Sequence, residues 1–97
     1  MKYRISAKAS DDIDKIWLYT LNNWSLTQAD SYYRLIYQEI KIIAENSNTG
    51  KDISNIKSGY RQTKVKSHLI IYRISHDGIL EIVRILHKKM DIPNRLR

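Results

Sequence analysis

A change of hydrophobic period divides this chain in two. Ahead of residue 50 the apolar residues recur every three or four positions, and beyond residue 58 they crowd into short runs rich in Ile, Val, Leu and Tyr. The first spacing lines one face of a helix and the second belongs to strands. The chain is therefore expected to be α+β, with helices preceding most of its sheet. In 97 residues both parts must share one core, so a single domain spanning 1–97 is expected. There is no cysteine, which excludes a disulfide framework and a thiolate metal site. Packing has to supply the stability.

Tyr3 and Ile5 alternate with polar neighbours, so Lys2 to Ile5 reads as a strand. Ser6 then caps a helix whose apolar face is Ala9, Ile13, Ile16, Trp17, Thr20, Leu21 and Trp24. Asn22, Asn23 and Ser25 interrupt it, and Ser25 with Gln28 forms a capping box for a second helix. Ala29, Tyr33, Ile36, Ile40 and Ile43 lay that helix against the first until the polar stretch Asn46–Gly50. Trp17, Trp24, Tyr32 and Tyr33 sit at helical spacing without interleaved basic residues, and read as core and hairpin packing rather than a base-stacking platform. Lys51 to Ser58 carries no regular pattern. Tyr60–Val65, His68–Ser75 and Ile79–His87 follow as three antiparallel strands, the last two joined at His76-Asp77-Gly78. Ile70, Ile71, Ile74, Ile82, Val83, Ile85 and Leu86 put apolar groups on both faces of that sheet. One face is expected beneath the helices and the other beneath a partner or the chain's own tail.

The net charge is +7, and all of it lies in residues 51–97, where eleven Lys/Arg face four Asp/Glu. Such asymmetry suits an acidic or polyanionic partner. Asp11, Asp12 and Asp14 occupy early turns of the first helix, where carboxylates suit the positive end of its dipole, but neighbouring side chains on one helix do not converge on a cation. His68, His76 and His87 lack metal-ligand spacing, and nothing else implies a metal or cofactor. Ser67 and His68 are strand neighbours pointing to opposite faces, which disfavours a catalytic triad. Arg61, Arg73, Arg84, His68 and His87, with Lys64, Lys66, Lys88 and Lys89 beside them, could stabilise a phosphoryl transition state or form a docking surface. No apolar run approaches the ~18 residues of a membrane span, and the N-terminus lacks a signal-peptide pattern, so a cytosolic location is expected.

The run Ser67-His68-Leu69-Ile70-Ile71-Tyr72-Arg73, followed by Ile82-Val83-Arg84-Ile85-Leu86-His87-Lys88-Lys89-Met90-Asp91, resembles the signature of ParE toxins in the RelE/ParE superfamily. Ile16-Trp17, Tyr19-Thr20, Trp24, Gln28-Ala29 and Tyr32 resemble the same family's helical hairpin, so the likeness spans nearly the whole chain. It implies a strand, an antiparallel two-helix hairpin and a three-stranded antiparallel sheet. It also implies the toxin half of a type II toxin–antitoxin pair, neutralised by a ParD-like antitoxin lying over the apolar groove between helices and sheet. DNA gyrase would be the target, inhibited by binding, and DNA would be reached indirectly through the antitoxin complex. On this resemblance Tyr60, Arg61, Val65, His68, Ile70 and Tyr72 are expected to meet the antitoxin. Arg73, Arg84, His87, Lys88, Lys89, Arg95 and Arg97 are expected to meet the target, the last four from a basic tail over 88–97 that Pro93 leaves mobile and projecting.

Other members of the superfamily cut messenger RNA on the ribosome, and here Arg61, Arg84 and His87 would be the catalytic candidates. Leu69 stands where a catalytic arginine would align, and Ile92 and Pro93 follow His87 where such enzymes carry a tyrosine. Both departures favour a toxin that is not an enzyme. A ribosome-dependent nuclease and an inactive antitoxin-binding relative remain the alternatives.

Overall fold

The computed structural model describes all residues, 1–97. β1 (Tyr3–Ile5) leads into α1 (Ala7–Asn23) and α2 (Leu26–Glu45); β2 (Lys51–Asp52), β3 (Tyr60–Val65), β4 (His68–Ile74), β5 (Leu80–His87) and the short α3 (Ile92–Arg95) follow. Both helix starts follow from their caps. Ser6 Oγ accepts from the Ala9 N–H at 3.0 Å, and Ser25 Oγ accepts from the Gln28 N–H at 3.1 Å, each satisfying a donor that the first helical turn leaves free.

The sheet has five strands in the order β1-β5-β4-β3-β2 rather than the expected three. β3, β4 and β5 form the antiparallel meander expected from the sequence, while β1 adds to one edge in parallel with β5, pairing Tyr3 with Leu80 and Ile5 with Ile82. At the other edge Lys51 and Asp52 pair with Gln62 and Arg61, inside the stretch that has no strand pattern. Two residues are too few for a period to register.

A bulge sets which side chains of β5 reach the core. Ile71 pairs with Arg84 and Tyr72 with Ile82, leaving Val83 as the extra residue. Without it, Ile82 and Ile85, three positions apart, would point to opposite faces; with it, both join Leu80, Ile70, Tyr72 and Val65 under Ala9, Ile13, Ile36, Ile40 and Ile43 of the hairpin. The opposite face has its own small core, where Ile71 and Leu86 are sealed by Ile53, Ile92 and Leu96.

That second core corrects the expectation of a mobile tail. Ile92 and Leu96 are 9% and 5% exposed. Asp91 caps α3 by accepting from the Asn94 N–H, and Lys57 Nζ donates to the Leu96 carbonyl at 2.6 Å. Pro93 lies in the first turn, where its missing N–H has no helical partner to lose, so it begins this helix instead of disrupting the segment. Of the two covers expected for the sheet's second face, the tail provides it.

Candidate functional site

The helical hairpin is longer than the sheet it covers, and past the last core layer an open groove of about 760 Å³ remains. The last turns of α1 and the first of α2 form one wall. The β3–β4 turn and the end of β5 form the other, with His68 and His87 between them. These two residues are direct cross-strand partners on the helix-facing side, with ring centroids 5.2 Å apart and planes at 81°. Tyr32 of α2 reaches the same point: its hydroxyl lies 2.9 Å from the Val65 carbonyl and 2.6 Å from His68 Nδ1. Burial, with the neighbouring His87, holds His68 down to about 4, against an opposing pull from Asp12, so His68 is neutral near pH 7. Burial also pushes the Tyr32 hydroxyl above its ordinary value.

The groove's rim is apolar and open. Trp24 is 70% exposed and Tyr19 65%, so Trp24 is not the core residue expected from its helical spacing. It is the C-terminal cap of α1, where no sheet lies opposite. Trp17 is half-buried and donates from Nε1 to Asp30 Oδ1 at 3.1 Å, tying the two helices together. Tyr33 lies on the exposed outer side of the hairpin, stacked on Tyr37.

Among the residues expected to meet an antitoxin, only His68 lines the groove. Val65, Ile70 and Tyr72 are 7%, 0% and 1% exposed and belong to this chain's own core, so they offer a partner almost no surface. An apolar side chain on a strand reads the same in sequence whether its face is covered by this chain or by a partner. Tyr72 is held further by its hydroxyl, which donates to the Ser47 carbonyl at 2.7 Å and accepts from the Gly50 N–H at 3.0 Å. Arg61 donates to the Gly50 carbonyl at 2.7 Å, and Tyr60 packs against the tail-covered core.

The candidate catalytic set does not assemble either. Arg61 pairs across the sheet with Tyr72, whereas His87 pairs with His68. Those two partners lie four positions apart along β4, about 13 Å at the usual rise of a strand. Arg84 is committed elsewhere. Its Nε and Nη2 donate to the two oxygens of Asp12 at 2.8 and 3.0 Å, and the same carboxylate accepts from the Ile85 N–H at 2.9 Å. β1 ends at Ile5, so Asp12 covers the stretch of β5 edge that β1 leaves unpaired. Sequence reading placed Asp12 as a helix-dipole residue; its partners lie more than 70 positions away and leave no local signal. Arg73 is likewise paired, with Glu81 at 3.0 Å. Of the seven residues expected to meet a target, Lys88, Lys89, Arg95 and Arg97 stay exposed and form no ion pair, on and beside the docked tail.

An N-terminal strand, a helical hairpin and a mixed sheet with a basic, docked tail define a small α+β domain with an open groove at the end of the hairpin. The family model described as "ParE toxin of type II toxin-antitoxin system, parDE" matches residues 3–92. A "Toxin ParE1" of Caulobacter vibrioides is 38% identical over 90 residues, 92% of this chain and 91% of that one. A "Toxin ParE1" of Mycobacterium tuberculosis is 33% identical over 95 residues, 98% and 97% of the two chains. A solved structure titled "Chromosomal ParDE TA system from P. aeruginosa" shares the fold, with a TM-score of 0.78 over 90% of this chain and 95% of that one at 19% identity. The chain belongs to the ParE toxin family and is a toxin component of a type II toxin–antitoxin system.

Proposed function

We propose that this toxin acts by binding DNA gyrase, without catalysis, and that a ParD-like antitoxin neutralises it by laying its C-terminal segment in the groove between hairpin and sheet. The observation that carries the first half is the dispersal of the nuclease candidates: Arg61 lies at the far end of the sheet from His87, and Arg84 is bound to Asp12. A site that stabilises a phosphoryl transition state needs its cations within contact of one atom. Four exposed cations without an ion pair, Lys88, Lys89, Arg95 and Arg97, lie together on and beside the tail instead, a surface fit for contact with a large acidic or DNA-bound target. The second half is supported by the exposed aromatic rim and by Lys66 at the groove, which suit a segment that is apolar with acidic flanks. In the resulting complex DNA would be contacted mainly by the antitoxin.

The test is a supercoiling assay with purified toxin beside a ribosome-bound messenger cleavage assay. Inhibition of supercoiling without cleavage is the expected result, and replacing Lys88, Lys89, Arg95 and Arg97 by Gln together should abolish that inhibition while leaving antitoxin affinity within about threefold. Cleavage that depends on His87 would refute the proposal.

A further inference from the structure

The two imidazoles in the groove are not equivalent. Tyr32 Oη contacts both the Val65 carbonyl and His68 Nδ1. A carbonyl only accepts, so the single hydroxyl proton goes to Val65, and the bond to His68 requires that Nδ1 carry the proton. A neutral imidazole has one N–H, which leaves His68 Nε2 as a bare lone pair. At His87 the order is reversed. The Lys89 backbone N–H donates to His87 Nδ1 at 3.1 Å, so that nitrogen is the acceptor and the proton sits on Nε2. No buried side-chain nitrogen or oxygen in the chain lacks a partner. Neither Nε2 atom is hydrogen-bonded within the chain, so both reach solvent, and both residues line the groove.

We propose that His68 Nε2 and His87 Nε2–H form a clasp for one carboxamide side chain, an Asn or Gln of the segment that occupies the groove. The amide NH₂ donates to His68 and its carbonyl accepts from His87, so each open nitrogen and each end of the amide finds its complement. The same arrangement discriminates. A carboxylate would set an oxygen against the His68 lone pair, and an ammonium would set protons against the His87 N–H. A metal ion is excluded from bridging the pair, because His87 has no free lone pair at Nε2 while Nδ1 accepts from Lys89. The acidic complement expected of an antitoxin therefore belongs at the rim, near Lys66, and not at the floor. Partially buried polar groups that lose their partner cost far more than exposed ones, so this single position should weigh heavily in recognition.

The inference rests on the groove being the antitoxin site, and the experiment separates the two. Long-range proton–nitrogen NMR on the free ¹⁵N-labelled toxin at pH 7 should find the proton of His68 on Nδ1 and that of His87 on Nε2; the reverse at either ring overturns the clasp. The antitoxin encoded beside the toxin then serves as the probe, with each Asn and Gln of its C-terminal segment changed in turn to Asp or Glu. One position should weaken binding at least tenfold, and that loss should disappear when His68→Phe or His87→Phe is already present in the toxin. Tight binding with no such position overturns the carboxamide while leaving the groove intact. If Tyr19→Asp on the open rim leaves antitoxin affinity unchanged, the groove reading itself fails, whatever the tautomers are.

Discussion

Replacing Asp12 with Ala removes the only acceptor of three donors at once. Arg84 loses both of its bonds, at 2.8 and 3.0 Å, and the Ile85 N–H on the open edge of β5 loses its bond at 2.9 Å. An exposed ion pair contributes about 0–1 kcal/mol, but these side chains are only 16% and 12% exposed. Breaking a buried pair from one side costs about 3–5 kcal/mol, and an orphaned backbone N–H about 1–3 kcal/mol. Residual solvent access puts Asp12→Ala at the low end, about 3 kcal/mol, a large part of the roughly 5–10 kcal/mol total stability of a domain this size. Asp12→Asn keeps one acceptor for Ile85 and should cost about 2 kcal/mol. Arg84→Met should cost a similar amount, and the double variant less than the sum by about 1–2 kcal/mol, since no charge is then left unpaired. Urea unfolding followed by circular dichroism measures the four variants against the parent. A loss below about 1 kcal/mol for Asp12→Ala, or additivity within about 0.5 kcal/mol, would show that the pair is a surface ornament.

Gly50→Ala should destabilise by about 2–3 kcal/mol in the same unfolding experiment, because its Cβ would overlap Tyr72 Oη, and Tyr72 is fixed by two hydrogen bonds. Removing residues 92–97 should lower the melting temperature and raise binding of a hydrophobic dye, since Ile92 and Leu96 leave Ile71 and Leu86 bare; unchanged melting would return the tail to a frayed terminus. His68 is depressed to about 4 in the folded chain while an unfolded histidine titrates near 6.5. Between those values the unfolded chain binds the extra proton, so stability present above about 6.5 falls as the pH drops toward about 4. Its surroundings are Tyr32, His87 and, at longer range, Asp12. Partial exposure limits the effect to about 1–2 kcal/mol. Between pH 7 and 4.5 the parent should lose more stability than His68→Phe, and a pH slope unchanged in His68→Phe would refute it.

Local chemistry in the sequence was enough for β1, the two long helices and the β3–β5 meander, though not for β2 or α3. Ser6 and Ser25 announce their helices because a cap acts within three residues, and the Asp77-Gly78 turn is legible because only a few residues accept the positive φ that Gly78 adopts. The apolar character of both sheet faces was equally legible, and with it the need for a second cover. What tertiary structure alone decided are the pairings between distant parts of the chain. β1 joins β5 across more than 70 positions, Asp12 finds Arg84 and Ile85 across a similar gap, and the bulge at Val83 chooses which isoleucines of β5 face the helices. Burial also reversed two readings that periodicity could not test. Tyr72 and Val65 went to the core rather than to a partner, and Trp24 went to an open rim, because a helical stripe reveals which side chains share a face but not how far the opposing sheet extends beneath them. The His68–His87 pair depends on register in the same way. Both histidines were visible in the sequence, but only folding set them opposite each other with Tyr32 on one and the Lys89 backbone on the other, giving two identical side chains opposite hydrogen-bonding roles.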